Sequence, residues 1–110
     1  MKPRCYLAGP MRGYEHYNFP AFDRYAELLE KQGYTVVSPA TLDREAGFNP
    51  ETDEVTPELI RQMILRDCEA ITKVDNIWLM PEWEKSKGVA VEKSLAEFLG
   101  LPVYYLDTNE

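Results

Sequence analysis

Residues 81–100 read PEWEKSKGVAVEKSLAEFLG and follow directly on the apolar run Ile77-Trp78-Leu79-Met80. An apolar run, a polar interval and a helical pattern in that order make a strand, a loop and the opening turns of a helix. A helix start carries unpaired N–H groups and the positive end of the dipole, so this junction is an anion site. Ser86 caps the helix, and Gly88 lets a ligand approach its backbone. Helical spacing puts Gly88, Glu92, Leu95 and Leu99 on one face, with Val89 and Ala96 beside it. Glu92 therefore points inward among apolar neighbours. An acid there has either a functional reason or an ion pair with a nearby lysine.

The same alternation recurs on both sides of this stretch. Cys5-Tyr6-Leu7-Ala8 is a buried strand ended by Gly9-Pro10, and a loop follows from Met11 to Tyr17. Asn18 is placed to cap a helix beginning at Phe19, whose inner face is Phe22, Tyr25, Ala26 and Leu29, with Gly33 as its stop. Thr35 to Ser38 is a second strand, ended by Pro39. From Ala40 to Val55 there is no periodicity, and Asp43, Glu45, Glu51, Asp53 and Glu54 face a single Arg44. This reads as a long loop, either a lid facing a substrate or a solvated excursion. Thr56-Pro57 caps and opens a helix running to about Ile71. Its inner face is Ile60, Met63, Ile64, Asp67 and Ile71, so Asp67 is a second carboxylate where an apolar residue is due. Asn76 to Met80 and Val103 to Leu106 are the third and fourth strands, and residues 107–110 a short tail.

Strand and helix alternate throughout, which predicts an α/β fold: a parallel sheet with helices on both faces and right-handed crossovers. The expected arrangement is a flavodoxin-like three-layer sandwich with four strands in the order 2-1-3-4, one domain over residues 1–110. Ligands in such sheets bind beyond the carboxyl ends of the strands, at the switch point between strands one and three. Gly9 to Gly13, the segment after Pro39, and Pro81 to Glu92 converge there. Asp67 lies late in a helix that runs away from that edge, so its arrival at the site is not given by the pattern.

Composition narrows the chemistry. The chain has 110 residues, a formal net charge of −7 and no basic stripe, which argues against a nucleic-acid duplex as partner and leaves small anions open. No apolar run is long enough for a membrane, and Met1 to Tyr6 leads straight into a strand without a signal-peptide region, so a cytoplasmic protein is expected. Cys5 and Cys68 read as buried free thiols, and with His16 as the single histidine no metal centre is expected. Neither a P-loop, a dinucleotide fingerprint nor G-x-S-x-G is present, and no cofactor is predicted; flavin stays open on fold alone. Two inward acids beside an anion site suit cleavage of a glycosidic bond, one attacking the anomeric carbon and the other moving a proton at the leaving group.

Tyr6-Leu-Ala-Gly-Pro-Met-Arg-Gly13, Asp67, Asp75 and Ser86-x-Gly88-x-x-x-Glu92 together resemble the nucleoside 2-deoxyribosyltransferase superfamily, which includes the 2'-deoxynucleoside 5'-monophosphate N-glycosidases. The closest likeness is to short phage and bacterial members of unassigned function. The resemblance implies that Glu92 is the nucleophile, that Tyr6 positions it and that Asp67 handles the leaving base. Transferases acting on free nucleosides carry an acid where this chain has Ser86, whereas the monophosphate N-glycosidases carry serine. Ser86 and Gly88 with Gly9, Met11, Arg12 and Gly13 are thus expected around a 5'-phosphate, and His16, Phe19 and Trp83 around the base. The implied activity is hydrolysis of a (deoxy)nucleoside 5'-monophosphate through a glycosyl ester on Glu92. The alternatives are deoxyribosyl transfer, or a nucleotide-binding module without catalysis. A homodimer is implied as well. The chain departs from the family pattern in the Pro81 to Lys85 loop and in the bulk of Val89-Ala90-Val91.

Overall fold

The structure, a computed structural model, describes residues 1–106, so the expected tail at 107–110 lies outside the described residues. Strands β1 (Arg4–Ala8), β2 (Thr35–Val37), β3 (Asn76–Leu79) and β4 (Val103–Tyr105) form one all-parallel sheet in the order β2-β1-β3-β4. The helices are α1 (Phe19–Lys31), α2 (Pro39–Glu45), α3 (Pro57–Ile71) and α4 (Lys87–Phe98), with a tight turn at Glu15–Asn18 and a single 3-10 turn at Trp83–Lys85. This is the expected flavodoxin-like topology.

Alternation along β1 separates two cores. Cys5 and Leu7 pack with Phe19, Phe22 and Leu29 of α1, whereas Tyr6 and Ala8 pack with Ile71, Val89 and Ala96 of α3 and α4. Reversal of the winding direction after β2 puts α1 on one face and α3 and α4 on the other, if every crossover is right-handed. The β1–β3 seam is tight because Gly9 has no side chain. A Cβ there would lie 2.6 Å from Met80 Sδ and 2.9 Å from its Cβ. No helix among the described residues is long and apolar enough to cross a membrane.

Four expectations need correction. Residues 40–55 are not one loop, because Pro39–Glu45 is helical: Ser38 Oγ accepts the Ala40 N–H, proline takes the first helical position, and Gly47, at φ +94°, closes the end. Asn18 does not cap α1 with its side chain; its own backbone is left-handed and its Nδ2 donates to the Pro10 carbonyl at 2.8 Å. The buried line of α4 is Val89, Glu92 and Ala96, while Gly88 and Leu99 are exposed, so the helix is rotated slightly from the expected face. Cys5 is a buried free thiol as expected, but Cys68 is only half-buried.

Candidate active site

Tyr6, at the middle of β1, is fully buried and faces α3 and α4. Its hydroxyl donates to Glu92 Oε2 at 2.8 Å. Glu92 reaches this position because Val89, Glu92 and Ala96 form the inner line of α4, whose start is held by Ser86 Oγ accepting the Val89 N–H at 3.2 Å. Asp67 comes from α3, on the line Met63, Asp67 and Ile71, where Thr56 caps the first turn by accepting the Leu59 N–H. The two helices pack together, and both acids are nearly sealed, with 5% exposure for Glu92 and 7% for Asp67. Asp67 thus lies beside Glu92 and Tyr6 although it comes late in α3.

Burial is the main force on every titrating group here. It pushes the Asp67 carboxyl up to about 7, and the neighbouring Asp43 charge adds to the rise, while the adjacent Glu92 and Tyr6 side chains and the Arg66 charge oppose it. Glu92 is raised well above the usual range, first by burial and then by the Asp67 charge, with the Tyr6 hydrogen bond pulling back. Burial and the Glu92 charge also raise Tyr6, which keeps its phenol protonated and a donor. Two adjacent carboxylates in so dry a place resist ionising together, so the pair titrates as a unit. Asp67 Oδ1 is buried without a hydrogen-bond partner among the described residues.

A third carboxylate belongs to this cluster and was not anticipated. Asp43 of α2 is 1% exposed and receives Arg66 Nη2 on its Oδ1 at 3.4 Å; burial lifts it to about 6 against the pull of that guanidinium. The local signals were Ser38-Pro39 at the start of α2 and Gly47 at its end. They marked a helix where acidic composition suggested a loop.

The remaining expected residues separate. Ser86 has one lone pair committed to the cap, leaving its O–H free to donate, and Gly88 is exposed beside it. Arg12 is exposed, makes no ion pair with a described residue and acts on the Tyr17 hydroxyl; Gly13 beside it has φ +85°. Gly9 is buried against Met80, and Met11 packs on the α1-side core. His16 pairs with Glu51. Phe19 is 4% exposed, lying edge-on to Tyr17 and Phe48 with Arg44 over its face. Trp83 lies tilted against Tyr105 with Lys93 Nζ over its ring, against the other core. Phe19 packs in the cluster that contains Cys5 and Leu7, and Trp83 against the cluster that contains Tyr6 and Val89.

A surface cleft of about 410 Å³ lies between the α2–α3 connection and α3, lined by Phe48, Asp53, Glu54, Glu58, Gln62 and Arg66 among others. It touches the carboxylate cluster only through Arg66. We place the site at the cluster because its buried acids bear a desolvation cost that the exposed acids of the cleft do not. Among the described residues no group of three or more His, Cys, Asp and Glu is arranged to hold a metal ion.

Comparison with known proteins agrees with this architecture. No curated protein matches the chain in sequence. Among solved structures, a 2-deoxyribosyltransferase from the psychrotolerant bacterium Bacillus psychrosaccharolyticus superposes with a TM-score of 0.66 at 26% identity, covering 93% of this chain and 70% of that one. That enzyme is described as a suitable biocatalyst for the synthesis of nucleosides. The likeness supports a nucleoside deoxyribosyltransferase-like superfamily, in agreement with the motifs quoted above. A family model matches residues 3–105, and the chain belongs to the family it describes, Domain of unknown function (DUF4406).

Proposed function

We propose that this chain cleaves the N-glycosidic bond of a (deoxy)nucleoside 5'-monophosphate. The observation that carries the reading is the buried Tyr6–Glu92–Asp67 cluster on a sheet like that of a 2-deoxyribosyltransferase. One proton on the acid pair is the count the chemistry needs. The Glu92 carboxylate attacks C1' as the C1'–N bond breaks, and the proton on Asp67 passes to the departing base. Water then adds to C1', its proton returns to Asp67, and the ester to Glu92 opens. Tyr6 favours the ionised form of Glu92 by donating to it, and the carboxylate also steadies the oxocarbenium-like charge at C1'. The Ser86 hydroxyl, the free N–H groups at the start of α4 and Arg12 are the proposed 5'-phosphate contacts; an acid at position 86 would repel that group.

Transfer to a second base is the same chemistry with another acceptor. The rival reading is a nucleotide-binding module without turnover. Incubation with a panel of deoxy- and ribonucleoside monophosphates, followed by chromatography for free base, separates them. Release by the wild type and its loss in Glu92→Gln supports the hydrolase; binding without release supports the module. We also propose a homodimer, since Leu65 of α3 and Val91 and Phe98 of α4 stand 70%, 51% and 87% exposed. Sedimentation of a single monomer-sized species would exclude it.

A further inference from the structure

His16, Tyr17 and Asn18 have φ values of 53°, 54° and 62°. The left-handed region is disfavoured for L-residues, which visit it singly; of these three, asparagine and histidine tolerate it better than tyrosine. A run of three persists only where the surroundings over-determine it, and such strain gathers at functional sites. The anchors here are Asn18 Nδ2 on the Pro10 carbonyl at 2.8 Å, Tyr17 N–H on the Tyr14 carbonyl at 3.0 Å, and the His16–Glu51 pair. Together they swing the Tyr17 ring inward, edge-on to Phe48 at 5.4 Å and Phe19 at 6.2 Å.

The hydroxyl at the end of that ring is poorly used. Its partner is Met63 Sδ at 3.9 Å, a thioether and a weak acceptor. Met63 precedes Asp67 by one turn on the buried face of α3. Its contact with Met63 therefore sets the hydroxyl against α3, one helical turn from Asp67.

We propose that the left-handed turn His16–Asn18 is a clamp presenting the Tyr17 hydroxyl to the substrate, where it donates a hydrogen bond to a ring nitrogen or carbonyl oxygen of the base. The assignment of the base to this side rests on the reading of Glu92 and Asp67 given above. Tyr17 forms and breaks no covalent bond; it is a binding residue that selects for the base.

The test is calorimetric titration of wild type and Tyr17→Phe with deoxynucleoside monophosphates and with 2-deoxyribose 5-phosphate, which has no base. Tyr17→Phe removes only a hydroxyl bonded to sulfur, so folding is preserved. Nucleotide affinity is expected to fall about tenfold, while the sugar phosphate binds within about twofold of wild type. Equal losses for both ligands, no loss for either, or no nucleotide binding by the wild type overturns the assignment. Base release by the wild type is followed separately. Its absence with the binding contrast intact defeats the glycosidase reading and leaves Tyr17 standing; its presence without the contrast does the reverse.

Discussion

The Tyr6 hydroxyl meets Glu92 Oε2 at 2.8 Å from the centre of β1, so the buried glutamate of α4 is oriented by the sheet beneath it. Removing that donor in Tyr6→Phe leaves a carboxylate oxygen unserved in a dry site. Base release is expected to fall at least about tenfold, with a loss of stability of about 1–3 kcal/mol. Rates and urea midpoints check this; unchanged values for both would remove Tyr6 from the positioning role.

The acids predict a pH dependence of stability opposite to the common one. Asp67 is raised from 3.8 to about 7, so the folded state holds a proton that the unfolded chain has released between those values. The folded protein then binds more protons than the unfolded, and stability falls as pH rises from about 4 to 7, by a few kcal/mol at most as an order of magnitude. Asp43, raised to about 6, adds in the lower part of that window. Melting temperatures from pH 4 to 8 should show a flatter profile for Asp67→Asn than for the wild type.

Arg66 stands against Asp43 with the aspartate almost wholly buried. In Arg66→Met that charge loses its partner, and destabilisation of roughly 2–4 kcal/mol is expected at pH 8, where Asp43 is ionised. Near pH 5 the carboxyl takes a proton and the defect shrinks. A penalty that stayed the same across that range would mean lost packing, not charge.

Ser86 combines a cap with a proposed phosphate contact, and two substitutions separate them. Ser86→Ala loses the cap and about 1 kcal/mol of stability. Ser86→Asp keeps the cap and suits the helix dipole, so its melting temperature should hold. The same change brings a negative charge to the 5'-phosphate and should reverse any preference for nucleotide over nucleoside, read by competition between the two.

The β1–β3 seam gives a purely structural test. Gly9→Ala puts a Cβ 2.6 Å from Met80 Sδ, and equilibrium unfolding should show a loss of about 1–3 kcal/mol. Truncating Met80 relieves only part of it, because the Met80 Cβ itself is 2.9 Å away.

What could be read in the sequence was what neighbours in the chain decide. Thr56 and Ser86 cap their helices as expected because a cap involves a few consecutive residues. Gly33 ends α1 for the same reason: its N–H reaches Glu30 and that of Tyr34 reaches Leu29. Alternating strands and helices led to the sheet order through the handedness of crossovers. Asp43 escaped because its partner Arg66 belongs to another helix. The meeting of Asp67 with Glu92 depends on how far α3 stands along the sheet, which no local period records. The left-handed turn at His16–Asn18 contains no glycine to announce it, and its hold on Tyr17 comes from contacts far along the chain.

Helix α2 is a spacer. Seven residues long, it lies between β2 and α3 and carries Asp43 into the cluster. Insertions between Asn49 and Val55, on the exposed side of the connection, should leave the alignment of the acids intact, whereas adding or deleting one residue within Pro39–Glu45 would turn Asp43 about 100° around its helix and break the register. Among relatives of this chain, length variation is then expected to collect after Gly47 and to spare α2. The tolerance of this fold to evolutionary lengthening is set by the alignment of three carboxylates.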